Sequence, residues 1–78
     1  MNIETRVLII VEELTLTRGL TISQLLLDDG VLDSLTTIEL ITKIEEDFGI
    51  VIETDDMTHY NFNTVENITK IILKKQIH

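Results

Sequence analysis

The chain contains no cysteine. It therefore has no disulfide framework and no thiolate metal site, and needs neither an oxidising compartment nor zinc. Aromatic residues make up only 4% of it, so Leu, Ile and Val must fill the core, and at 44% hydrophobic the chain has enough of them. The longest apolar run, Val7-Leu8-Ile9-Ile10-Val11, is far too short to span a bilayer. The N-terminus lacks the basic start and apolar core of a signal peptide. These absences predict a soluble, cytoplasmic protein with no membrane span. Basic residues are also scarce, 6 against 14 acidic ones, for a net charge of −8. Phosphate-backbone binding depends on Lys and Arg, so nucleic acid is not an expected partner. With 78 residues the expectation is one domain, 1–78, burying roughly 60–65% of its unfolded surface.

The acidic charge that is present is unevenly placed. From Asp28 to Asp56 the only basic residue is Lys43, set among Asp28, Asp29, Asp33, Glu39, Glu45, Glu46, Asp47, Glu53, Asp55 and Asp56. Such a field steers basic partners toward this region. It equally serves as a solvated face that keeps a small domain soluble.

Hydrophobic periodicity predicts an all-α chain, a small helical bundle with three main helices and a short extra one. Asn2 caps the first helix, in which Ile3, Val7, Ile10, Val11 and Leu14 recur at helical spacing while Glu4, Glu12 and Glu13 turn away. A long connection follows, from about Thr15 to Leu32. Its leucines favour packing onto the core, with a short helical turn at residues 23–26. The second helix starts at Asp33 and ends at Gly49, the glycine serving as a left-handed cap. Ile38, Ile41, Ile44 and Phe48 are expected on its buried face, extended by Leu40, with Leu35 at the border. Glu45 falls toward the apolar side without a local reason. Residues 50–52 read as extended, residues 53–57 as a brief helical turn, and residues 59–63 as a loop. Asn63 or Thr64 caps the last helix, whose buried stripe is Val65, Ile68, Ile71 and Ile72. Lys70, Lys74 and Lys75 lie near its C-terminus, where positive charge suits the helix dipole.

This frame raises three candidate chemistries. Catalysis finds little support. The two histidines, His59 and His78, are distant in sequence from Ser34, no G-x-S-x-G elbow exists, and so short a chain has little room for a substrate pocket. A calcium loop from Asp28 to Glu39 fails, because Gly30 and Leu32 fall where oxygen ligands belong and Asp33 where the sharp-turn glycine belongs. The third is covalent modification of Ser34. A bare Asp-Ser-Leu tripeptide is an ordinary helix start and matches often by chance. Here, however, the hydroxyl falls at the first helical position. A phosphodiester built on it would lie beside unpaired amides and the positive end of the dipole. Asp33 offers a carboxylate to a divalent cation during phosphoryl transfer.

Gly30, then Asp33-Ser34-Leu35, then Ile38-Glu39-Leu40-Ile41, continuing through Ile44-Glu45-Glu46-Asp47-Phe48-Gly49-Ile50 and later Phe62-Asn63-Thr64-Val65, resembles the acyl carrier protein family of phosphopantetheine-binding carrier domains. The resemblance covers most of the chain. It implies that Ser34 receives 4′-phosphopantetheine from coenzyme A, delivered with magnesium by a separate phosphopantetheinyl transferase. It also implies that the chain is a carrier and not an enzyme, and that it acts as a monomer. Leu35, Glu39, Glu45 and Glu46 would then contact acyl- or aminoacyl-activating and condensing enzymes through their basic docking patches, and core side chains such as Ile52 would shelter a short acyl chain. Two residues depart from the fatty-acid pattern: Thr36 stands where aspartate is usual, and Thr42 where methionine is frequent. The form of residues 29–35 and the long segment 55–63 resemble stand-alone aminoacyl carriers, D-alanyl carriers among them. The expectation is an acyl carrier for fatty acid, polyketide or related biosynthesis. The alternatives are an aminoacyl or peptidyl (including D-alanyl) carrier and, further off, an acidic interaction module with no prosthetic group.

Overall fold

The computed structural model describes residues 1–77. Helix α1 spans Ile3–Thr15, α2 Ser34–Phe48, α3 His59–Phe62 and α4 Val65–Gln76, with a 3-10 turn at Thr54–Asp56 between α2 and α3. There is no strand among the described residues. Helix α1 packs against both α2 and α4, and the short α3 lies on α4.

The core follows from the apolar spacing. Val7, Ile10 and Val11 of α1 meet Leu40 and Ile44 of α2 and Val65, Ile68 and Ile72 of α4, with Leu26, Leu32, Ile52 and Phe62 closing the ends. Each such aliphatic side chain contributes about 1.5–3 kcal/mol by leaving water. Phe62 is the aromatic in this core, and Phe48 packs partly buried against it. Arg6 lies over the Phe48 ring, 4.3 Å from its centroid.

The termini of the elements are capped as local chemistry demands. Asn2 accepts from the Thr5 amide at 2.8 Å, and Thr64, not Asn63, caps α4 by accepting from the Asn67 amide at 3.1 Å. Gly49 ends α2 in the left-handed region, φ 64°, where a missing Cβ removes the steric penalty. The cap of α1 takes the same conformation with a leucine, Leu16 at φ 55°.

Several expectations are corrected. Residues 59–63 are not a loop: Thr58 accepts from the Asn61 amide at 3.1 Å and starts the single turn of α3. Residues 23–26 are not helical; a short turn at residues 22–23 is followed by a longer one at residues 26–30, where the Leu26 carbonyl accepts from the Leu32 amide at 2.9 Å. Glu12 does not simply face water, because its carboxylate accepts from the Leu20 amide at 3.1 Å and draws the start of the connection back onto α1. Ile38 is not on the buried face of α2 but 62% exposed. With Leu40 and Ile44 fully buried, the spacing of three and four residues, about one turn, brings partly buried Thr37 and Ile41 toward the core and leaves Ile38 outside.

Candidate attachment site at the start of helix α2

Ser34 is the first residue of α2, and its side chain is exposed. Two features of the preceding chain put it there. Gly30 takes φ 75° in the turn, a conformation that glycine enters without a Cβ clash. Leu32 is 3% exposed and anchors the chain just before the helix.

Asp33 and Thr36 form a reciprocal cap. The Asp33 carboxylate accepts from the Thr36 amide at 2.8 Å, and the Thr36 hydroxyl oxygen accepts from the Asp33 amide at 2.9 Å. The same hydroxyl lies 2.9 Å from the Asp33 carboxylate, to which it donates. The Thr37 hydroxyl donates to the Asp33 carbonyl at 2.7 Å. The Thr36 amide and then its hydroxyl, together with the Leu35 amide, hold the Asp33 carboxyl below its ordinary value of 3.8. A carboxylate with a lowered pKa stabilises the fold above the ordinary value, and that contribution is lost as pH falls through the lowered one.

The result is a primary hydroxyl facing solvent at the positive end of a helix dipole, where first-turn amides have no partner inside the helix. These groups suit a phosphodiester on Oγ of Ser34: the oxygen is accessible, and the first-turn amides would stabilise the anion.

The residues expected to meet partners separate into two sets. Leu35 is 66% exposed, and Glu39 and Glu46 are exposed on the same helix. Glu45 turns inward instead. It is half-buried, and its carboxylate accepts from the Ile52 amide at 2.8 Å, which tethers the segment after α2. This contact explains a position that has no local reason in the helical pattern. Ile52 is 5% exposed and is a core residue. His59 is not at the serine; its Nε2 lies 2.7 Å from Asp28. No cluster of metal-ligating side chains occurs among the described residues, and none of their helices is long and apolar enough to cross a membrane.

Sequence reasoning missed the part played by Asn63. Its Oδ1 accepts from the amides of Leu27 at 3.0 Å and Asp28 at 3.2 Å, and its Nδ2 donates to the Asp28 carboxylate at 3.0 Å. These partners lie 36 and 35 residues away, beyond any local signal.

A small helical bundle that offers an exposed serine at a helix start suits a carrier of a covalently attached group. The profile of the phosphopantetheine attachment site family matches residues 8–72, and the chain belongs to that family. The group that the family attaches is 4′-phosphopantetheine, and the chain is a carrier protein. It is similar to the D-alanyl carrier protein of Enterococcus faecalis, 36% identical over 70 residues that cover 87% of this chain and 90% of the relative. It is also similar to the D-alanyl carrier protein of Streptococcus mutans, 34% identical over 76 residues, 91% and 96% of the two chains.

Proposed function

We propose that this protein is a stand-alone aminoacyl carrier of the D-alanyl type, with the prosthetic arm on Ser34. The observation that carries the reading is the exposed Ser34 hydroxyl at the first position of α2, held there by the Asp33–Thr36 cap, in a chain similar to two D-alanyl carrier proteins. The fatty acid or polyketide cargo expected first from the sequence gives way to its alternative, which those relatives and the departures at Thr36 and Thr42 favour. When bound, the arm supplies a terminal thiol whose thioester carries the cargo. The chain's own residues present the hydroxyl, stabilise the anionic ester through the first turn of α2, and recognise partners. Leu35, Glu39 and Glu46 form the docking face for basic patches on a phosphopantetheinyl transferase and on the aminoacyl-activating enzyme, with electrostatics raising the rate of encounter. Glu45 is kept out of that set by its bond to Ile52. The domain works in the cytoplasm as a monomer.

The test is intact mass. Incubation of the apo protein with coenzyme A, magnesium and a broad-specificity transferase adds one phosphopantetheine, and Ser34→Ala adds none. The loaded protein then takes a single D-alanyl group from a D-alanine-activating ligase with ATP. A loaded protein that accepts only fatty acyl groups from an acyl-activating synthetase overturns the D-alanyl assignment. A wild type that stays unmodified while a control carrier is loaded overturns the carrier reading at Ser34.

A further inference from the structure

The connection between α1 and α2 contains no helix, yet it must deliver Ser34 to a fixed place. Its last part is a turn at residues 26–30 that closes on itself: the Leu32 amide donates to the Leu26 carbonyl at 2.9 Å, and the Asp29 amide to the Leu25 carbonyl at 2.8 Å. The next residues are Asp33 and Ser34. This turn is held to the body of the protein by one residue more than by any other. The Asn63 carbonyl accepts from the Leu26 amide at 2.7 Å. Its side-chain oxygen accepts from the Leu27 and Asp28 amides, and its side-chain nitrogen donates to Asp28. The other oxygen of Asp28 is 2.7 Å from His59 Nε2, at the start of α3. Asn63 thus sits at the corner between α3 and α4 with its amide group satisfied on both ends by the turn that precedes the attachment serine.

We infer that Asn63 is a positioning residue for Ser34: it orders the turn at residues 26–30, and through Leu32 the start of α2, so that a transferase meets the hydroxyl already in place. The inference rests on the reading of Ser34 as the modified residue. Three of these four bonds run from backbone amides to the carbonyl or amide oxygen of Asn63 and fix direction without a charge, and the fourth goes to the Asp28 carboxylate. A loop released from them would have to be ordered at each encounter with the transferase. That cost falls on binding and leaves the chemical step untouched once the complex has formed.

The test compares transferase kinetics on the full chain with coenzyme A and magnesium. Asn63→Ala is expected to raise KM for the carrier about tenfold with kcat within about twofold, and to speed amide exchange at Leu27, Asp28 and Leu35. Asn63→Asp sets two carboxylates against each other and is expected to be at least as poor. The exchange Asp28→Asn with Asn63→Asp puts an amide donor opposite a carboxylate again, keeps an acceptor for the Leu27 and Asp28 amides, and is expected to recover most of the lost KM. Ile72→Val, a core change on α4, controls for stability. The inference is overturned if Ile72→Val raises KM as much as Asn63→Ala at a matched loss of Tm, if the exchanged pair gives no recovery, or if Asn63→Ala keeps the wild-type KM. Failure of the wild type itself to be loaded counts against Ser34 as the attachment site and removes this inference with it, whereas normal loading of wild type and Asn63→Ala alike sinks this inference alone.

Discussion

The two irregular segments of this protein are held to the bundle by different mixes of contacts. The connection before α2 is fastened by buried leucines, by the amide of Asn63 and by the Glu12 and Asp28 carboxylates. The segment after α2 is fastened by buried Ile52 and by a cluster of charges. Lys75 of α4 lies 2.6 Å from the Asp56 carboxylate and 3.2 Å from that of Glu53, and Glu45 holds the Ile52 amide. The Lys75 and Asp56 side chains are each only 18% exposed. The segment that sets the attachment serine relies mainly on backbone hydrogen bonds to one side-chain amide. The segment on the other side carries the Lys75 clamp and lies at the far end of α2 from Ser34 in sequence.

The largest effect should come from removing the apolar anchor of each segment. Leu26 is fully buried and Ile52 is 5% exposed. Leu26→Ala and Ile52→Ala should each cost about 2–5 kcal/mol in urea denaturation, a large share of the stability of so small a domain. The comparison is sharpened by transferase kinetics at a temperature where both variants are folded. Leu26→Ala should raise KM for the carrier, because Leu26 closes the turn that ends at Leu32. Ile52→Ala should leave it close to wild type. Equal increases would mean that the two segments do not differ in their bearing on Ser34.

What could be read from the residues alone follows the range of the interactions. The three long helices, their Asn2 and Asp33 caps and the Gly49 stop are local patterns that span three to five residues, and they appear in the structure where spacing puts them. The exposed Ser34 also depends on local facts, the cap on one side and the helix on the other. Helix α3 has a single turn, too short for periodicity to reveal, and its start depends on the Thr58 hydroxyl. Ile38 looked buried because Ile41 and Ile44 follow it at helical spacing, but the exact rotation of α2 is set by how Leu40 and Ile44 pack on α1. The inward turn of Glu45 and the work of Asn63 are contacts across the fold, and no pattern of neighbours along the chain encodes them.

A smaller effect separates the segments by pH. The Lys75 ammonium, followed by the Glu53 amide, holds the Asp56 carboxyl below its ordinary 3.8. Hydrogen bonding to Asp56 and then to Glu53 raises the Lys75 ammonium above its ordinary 10.5. The signs are opposite. The Asp56 contribution is present above the ordinary carboxylate value and lost as pH falls through the lowered one. The Lys75 contribution is present below 10.5 and lost as pH rises through the raised value. Lys75→Met should therefore lower Tm near neutral pH and flatten its decline at both extremes. It should also make Tm less sensitive to added salt. Thermal melts across pH and ionic strength check this, and a wild-type acid and alkaline slope in Lys75→Met would show that the clamp contributes nothing.

The smallest effect concerns how each segment begins. Both α1 and α2 end on a left-handed residue, Leu16 at φ 55° in one and Gly49 at φ 64° in the other. A Cβ in that region costs about 1–2 kcal/mol, whereas glycine costs about 0.5–1 kcal/mol through the freedom it gains when unfolded. Leu16 is 92% exposed, so its side chain brings almost no burial to set against the strain. Leu16→Gly should thus stabilise the protein by up to about 1 kcal/mol, measured by urea denaturation with an unchanged m-value. Gly49→Ala, the reverse change at the other cap, should destabilise by a similar amount, since open space around Gly49 leaves backbone strain as its main cost. Loss of stability in Leu16→Gly would mean that this exposed leucine has an energetic part that its position does not show, and the two caps would then no longer be equivalent.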